Sequence, residues 1–383
     1  MRYYEITFTN PDGFPVSKDS NIPSKFSSHS DTFVYNPGCL EVEFEITNAW
    51  GHLLAAQTHL RIHNPTIQMV NGMRAYNGTT CQIRGGFKKG LPLADPFQSG
   101  LIGVGVVQSC WANWLGTDLV LDFLLYPSAD FGAPDLTWSV ATGAGSPFPY
   151  SFQWGKGYNE SLFDAIAQTF GYQGLTLKGQ LNSLTNVVPD PPILDVRYTF
   201  QDFCEFIRKL SIGVVEPASV QGGSNTGQGT WQGYQGVSLF YQPNSDQVFA
   251  YDGTASPNVL QLYQSEFIGQ PTWLNEQGAL QSVHPMRSDV SLGFDLLYPK
   301  TIISNASPQN IAAVRNLFVN PGDHTLRVQQ VRHVGRFRDT SPTGWVTYID
   351  AVSAFSYNPN VPMPMPPEVV GTVTIEPLEQ NPF

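Results

Sequence analysis

The segment LEVEFEIT, residues 40–47, places Leu40, Val42, Phe44 and Ile46 in strict alternation with Glu41, Glu43, Glu45 and Thr47. Successive side chains of an extended chain point to opposite faces, so this spacing makes a strand with one apolar and one acidic face, and no helix can sort it that way. The same period of two returns in YYEITFTN, THLRIHNP and CQIRGG and from Leu101 to Leu125, with Pro11-Asp12-Gly13, Asn36-Pro37-Gly38 and Asn77-Gly78 supplying turn chemistry between them. Residues 1–126 therefore read as a meander of antiparallel strands, expected to curl into a first β-barrel domain. Composition agrees: charged residues are 13% of the chain, and 35 Gly and 30 Pro are spread along it, a mixture that favours strands joined by many turns.

The period changes between 127 and 215. SLFDAIAQTFG sets Leu162, Ala165, Ile166 and Phe170 on one stripe, starts after Asn159 and ends at Gly171, a residue suited to a left-handed cap. FQDFCEFIRKL repeats the stripe with Phe203, Phe206, Ile207 and Leu210, and Thr199 three positions before Asp202 resembles a capping box. A small mixed α/β insert domain is expected there, divided by the Pro-rich joint VVPDPPIL. After a Gly-rich loop beginning near 216, strand patterns resume in VSLFYQP, QVFAYDG, QGALQSVHP, TLRVQQVRHVG and GWVTYIDAV, with a short helix at SPQNIAAVRNLF capped by Ser307 and Pro308. Residues 216–357 thus predict a second β-barrel domain, and 358–383 a Pro-rich extended tail. The fold class is mainly β, with two barrel domains and a partly helical middle domain.

Catalytic patterns are sparse. His59 and His63 in HLRIH would share a metal ion on a helix, but on a strand they stand about 13 Å apart and read as solvated polar positions. Glu41, Glu43 and Glu45 are spaced about 6.5 Å apart on one face, within an inverting glycosidase's range. Acid catalysis needs one carboxyl desolvated beside an ionised one, whereas three neighbours on an open face share one solvent. The chain has no G-x-S-x-G elbow, and its Gly-rich stretches lack the Lys and Ser or Thr of a phosphate loop. Trp111, Trp114, Trp154, Trp231, Trp273 and Trp345 suit either a sugar platform or, more commonly, core and interface packing. No catalytic, metal or cofactor site is expected.

Charge and cysteine usage narrow the partners. The formal net charge of −11 repels phosphates, so nucleic acid is not expected to be bound stably. Cys39, Cys81, Cys110 and Cys204 show no C-x-x-C spacing and read as buried free thiols. MRYYEITFTN alternates like a strand and lacks the basic-then-apolar pattern of a signal peptide, so none is expected, and no run of about 18 apolar residues predicts a membrane span. A cytoplasmic product that assembles into something larger is expected.

Four segments, taken in order, resemble the phage baseplate hub family, which includes T-even tail hubs and the hub portion of VgrG-type spikes. They are the N-terminal block of LEVEFEIT, THLRIHNPT and CQIRGGF; SLFDAIAQTFGYQGLTL; FIGQPTWLNEQGALQSVHPMRSDVSLGFDLLYP; and LRVQQVRHVGRFRDTSPTGWVTYIDAV. In the last, Val331, His333, Gly335, Trp345 and Thr347 match the family's "V-x-H-x-G … W-x-T" closing hairpin. Gly335 is followed by Arg336 where the family often has Asp, so any role of that Asp is not carried over. The resemblance implies a homotrimer of two similar barrels per chain in a virion baseplate. Six barrels would match a six-fold tail tube to a three-fold central spike, with DNA only in transit through the lumen. Implied partners are the chain itself, the tail tube protein, the spike and other baseplate proteins. A carbohydrate- or receptor-binding tail protein is the alternative from another class, and a tail-associated peptidoglycan hydrolase a third.

Overall fold

The computed structural model describes residues 1–16, 22–30, 34–51, 57–88, 98–126, 150–181, 188–221, 236–242, 247–252, 259–274, 279–299 and 325–353. The predicted helix at 307–318 and the Pro-rich tail lie outside these residues. The described chain is mainly β with few helices, the class expected from the alternation.

The first block supplies β1 (Arg2–Thr9), β2 (Lys25–Ser27), β3 (Val42–Ala49), β4 (Gln57–His63), β5 (Thr80–Phe87), β6 (Gly100–Leu115) and β7 (Asp118–Tyr126). Between β4 and β5 runs a short helix α1 (Ile67–Gly72), where the alternation had suggested strands almost throughout. Thr66 initiates α1 by accepting a hydrogen bond from the Met69 N–H, and Met69 and Tyr76 close the apolar interior from that end. Met69 and Tyr76 are an odd seven residues apart, so a strand would send them to opposite faces whereas helical winding brings both to one, which is the signal a period of two misses.

The middle of the chain forms β8 (Tyr150–Trp154), α2 (Leu162–Gly171), β9 (Thr176–Gln180), β10 (Ile193–Arg197), α3 (Phe200–Gln221), β11 (Ser238–Gln242) and β12 (Gln247–Tyr251). The stripes read from the sequence are the buried ones: Leu162, Ala165, Ile166 and Phe170 of α2 meet Phe203 and Ile207 of α3 in one core. Helix α2 is capped at Ser161, and Gly171 stays helical; the left-handed residue is Gly174, three positions on. Thr199 caps α3 through the Asp202 N–H at 3.1 Å. Strand β11 pairs with β12 and β12 with β9, and β11 and β12 contribute Leu239, Val248 and Ala250 to the same core.

The last elements are β13 (Val259–Gln261), β14 (Thr272–Leu274), β15 (Ala279–Pro285), β16 (Asp295–Leu297), β17 (Thr325–Arg336) and β18 (Trp345–Ser353). They belong to the same sheet as the first block, because β17 pairs with β3 over residues 330–336. Two apolar interiors lie along this sheet, one around Phe8, Phe44 and Phe123, the other around Leu280, Val328 and Ile349. The long β17–β18 hairpin reaches both: Val331 and Ile349 enter the second interior and Trp345 the first. Among the described residues no helix is long and apolar enough to cross a membrane.

The strand order repeats itself. The first block runs β3-β4-β7-β6-β5 and the last runs β14-β15-β18-β17-β16, with every neighbouring pair antiparallel. Strands β4 and β15 are both seven residues long, and the registers superimpose: Thr58 faces Leu125 as Leu280 faces Ala351. Both long hairpins carry a register shift at the same place. Gln108 is skipped between Val107 and Ser109, and Gln329 between Val328 and Gln330, each just past the stretch paired with β5 or β16. The copies diverge at the sixth strand, since β1 is antiparallel to β5 whereas β13 is parallel to β16.

Candidate functional site: a buried polar row in the second sheet unit

The repeated register shows which positions differ between the units. Ile62, Leu121 and Ala112 lie side by side across β4, β7 and β6, and their equivalents across β15, β18 and β17 are His284, Thr347 and His333. An apolar row in one unit is a polar row in the other, and all three polar residues are buried. Burying such groups costs free energy unless each is hydrogen-bonded.

Each is. The His284 Nδ1 lies 2.9 Å from the Glu266 carbonyl oxygen, which only accepts, so Nδ1 carries the proton of the neutral ring. Its Nε2 must then accept from the Ser282 hydroxyl at 2.9 Å, and Ser282 Oγ in turn accepts from the Tyr298 hydroxyl at 2.9 Å. His333 Nδ1 sits 2.9 Å from Thr347 Oγ1, which also accepts the Arg287 N–H at 3.0 Å. Burial lowers the His333 imidazole to about 4. Burial, then the Arg287 charge, lowers His284 to about 3 against the opposing Glu266 carbonyl. Both rings are therefore neutral at physiological pH.

Arg287, 1% exposed, ties the row to the first sheet unit. Its Nε and Nη2 donate to Asp289 at 2.7 Å each, and Nη1 donates to Glu266 Oε1 at 3.2 Å. Glu266 Oε1 also accepts from the Gln98 amide at 2.7 Å, and Ser288 donates twice to the Gln98 carbonyl through its N–H and hydroxyl. Sequence reading passed over Arg287, Asp289 and Glu266. The available signal was an Arg and an Asp two apart in a segment otherwise poor in charge.

The hairpin motif residues occupy the junction between the interiors. Gly335 faces Phe44 across β17 and β3, and an added Cβ would lie 2.3 Å from the ring. Trp345 packs edge-on against Phe44 and Phe337 and donates its indole N–H to the Gly86 carbonyl at 2.9 Å. Gly86 is the second glycine of CQIRGGF, so segments far apart in sequence converge here. Val331 is buried in the second interior. Arg336 is half exposed and reaches Asp339 at 3.8 Å. The Arg2 guanidinium donates to the carbonyls of Arg336, Phe337, Asp339 and Ser341, fastening the chain start to the hairpin turn.

The glutamate ladder proves to be cross-strand ion pairs and not an acidic face in a shared solvent. Glu41 meets Arg338 at 3.4 Å, Glu43 meets Arg61 at 3.6 Å, and Glu45 meets Arg332 at 2.8 Å. His59 and His63 lie on the same outer face, 3.4 Å from Asp122 and 3.6 Å from Glu43 respectively; His59 is solvated at 43% exposed, His63 only 16%. Alternation identifies the face and not the partners, because the cations come from two other parts of the chain, β4 and the β17 hairpin. The Ser282–His284 distance would suit nucleophile activation, yet both side chains are fully buried and face packed protein. Among the described residues no group of three His, Cys, Asp or Glu could hold a metal ion. Cys39, Cys81, Cys110 and Cys204 are free and buried. Trp154 and Trp345 are core residues, Trp111 and Trp114 are exposed, and Trp231 lies outside the described residues.

No protein-family model and no curated protein matches the sequence. Among solved structures, the 43 kDa tail protein of prophage MuSo2 from Shewanella oneidensis is 8% identical, with 82% of this chain and 97% of that one covered at a TM-score of 0.44. A tail protein from Neisseria meningitidis is 7% identical, with 91% and 96% covered at a TM-score of 0.45. An E. coli type VI secretion component, described as similar to T4 bacteriophage tail proteins gp27 and gp5, is 11% identical, with 85% and 77% covered at a TM-score of 0.41. The solved structures to which this chain is similar thus include two tail proteins and one component of a type VI secretion system.

Proposed function

We propose that this chain is a structural, non-enzymatic baseplate hub of a contractile phage or phage-like tail, adapting a six-fold tube to a three-fold spike around an axial DNA channel. The observation that carries the reading is the repeated five-strand order with matching registers and bulges. One chain holding two like sheet units gives six such units in three chains, the number needed to meet a hexagonal tube while keeping three-fold symmetry towards the spike. The motif segments support it from a second direction. Gly86, Trp345, Gly335 and Phe44 meet at one junction, so the residues that carry the family resemblance act by packing the two units together. A net charge of −11 suits a lumen through which DNA slides without sticking. Function here resides in interfaces with the tube, the spike and other baseplate proteins, and the buried polar row holds their geometry.

Native mass measurement of the purified full chain, followed by capture of separately purified tube and spike proteins, tests this reading. A trimer near three times 42.2 kDa that captures both is the expected result. A chain that captures neither refutes it. Exposed Trp111 and Trp114 favour one rival, a carbohydrate- or receptor-binding tail protein. Specific glycan-array binding by the same preparation would establish that reading instead.

A further inference from the structure

Within one chain the two sheet units are joined edge to edge by residues 330–336 of β17 pairing with β3. The repeat places residues 109–115 of β6 where 330–336 lie, and β14 where β3 lies. In the first unit, however, that half of β6 has no strand on the side away from β7 among the described residues: its ladder with β5 stops at Val106. The segment before β5 then covers only the next few positions, through Thr79 at Val107 and the Asn77 side chain at the Cys110 N–H. Strand β14 is likewise the last strand on its side of the sheet among the described residues. Among the described residues, these two open edges are the counterparts of an interface already formed inside the chain.

We propose that β6 pairs with β14 of a second copy of this chain, antiparallel and in the register that β17 and β3 use. Carried across, that register sets Trp111 opposite the partner's Leu274, Ala112 opposite the partner's Trp273 and Asn113 opposite the partner's Thr272. Three features of the first unit fit an edge built to be covered. The stretch Trp111-Ala112-Asn113-Trp114-Leu115 contains no charge and no proline, the devices that normally keep an open edge from pairing. Trp114 is 69% and Trp111 39% exposed at this edge. Inside the chain Gly335 lies beneath the Phe44 ring; at the equivalent pair the sizes exchange, Trp114 standing over the partner's Pro271, whose missing N–H ends the ladder at Asn113 and Thr272. Each copy uses β6 on one side and β14 on the other, so the contact is head-to-tail and propagates until it closes. This inference deepens the self-association in the hub reading by naming its interface.

Asn113 and Thr272 are both exposed and would stand directly opposite, at a separation a disulfide can span. Full-length Asn113→Cys and Thr272→Cys proteins, mixed and mildly oxidised, are expected to give a dimer-sized band on a non-reducing gel. The double variant should give a ladder ending at the closed ring. Asp118→Cys mixed with Thr272→Cys, and the parent with its four buried thiols, serve as blanks. No band from the Asn113→Cys and Thr272→Cys mixture, or one no stronger than the Asp118→Cys mixture gives, overturns the interface. The two readings separate cleanly. A chain that captures tube and spike without this cross-link keeps the hub and loses the interface; one that cross-links but captures neither does the reverse.

Discussion

Replacing His333 with Gln removes a titrating group from the buried row while keeping a polar side chain beside Thr347. In the native protein His333 stays neutral down to about 4, whereas in the unfolded chain an imidazole takes up its proton near 6.5. The folded value is depressed, so the unfolded state binds more protons in the interval between them. Stability from this residue is present in full above about pH 6.5 and is lost as pH falls towards 4. One proton of difference gives a slope of about 1.4 kcal/mol per pH unit, and about 2.5 kcal/mol accumulates between pH 7.5 and 4.5. His284, lowered to about 3, adds a parallel loss that the variant retains. Urea unfolding of parent and His333→Gln, followed by far-UV circular dichroism at half-unit steps of pH, reads the difference directly. The stability gap between the two proteins should move by about 2.5 kcal/mol in the variant's favour on acidification. Parallel curves over that range would falsify the assignment of His333 as a buried neutral base.

Gly335→Ala forces a methyl into the Phe44 ring and should cost about 1–3 kcal/mol in a urea titration, part of it restored by adding Phe44→Leu. Asp295→Ala leaves Arg327, bonded to it at 2.9 and 3.2 Å, as a buried charge without that partner; a loss of about 3–5 kcal/mol is expected, and a loss below about 1 kcal/mol would contradict it. The native protein should resist Ellman's reagent at pH 8, because burial raises Cys81 and Cys204 well above their usual range and Cys110 to about 12. All four thiols should react after denaturation, and prompt reaction of two or more in the native state would count against the packing described.

The alternation of LEVEFEIT sufficed for β3 and its facing, since a strand's period leaves no freedom over which side is apolar. The helical stripes of α2 and α3 were legible for the same reason, whereas the Thr66 cap was lost among strand-like neighbours and the short helix α1 with it. Sequence alone also told that Val331, His333, Gly335, Trp345 and Thr347 belong to one hairpin, through the order of short motifs. It did not tell what the hairpin touches. That Trp345 reaches Gly86, that Thr347 meets Arg287, and that Glu41, Glu43 and Glu45 each face an arginine are consequences of pairings across up to about 300 residues of chain. The repeat was invisible for a related reason. Strand order, register and bulge position survive when nearly every side chain changes, as Ile62, Leu121 and Ala112 against His284, Thr347 and His333 show. Local periodicity is a property of neighbouring residues and can be read along the chain; which edges meet and which stay open is settled only when the whole sheet forms.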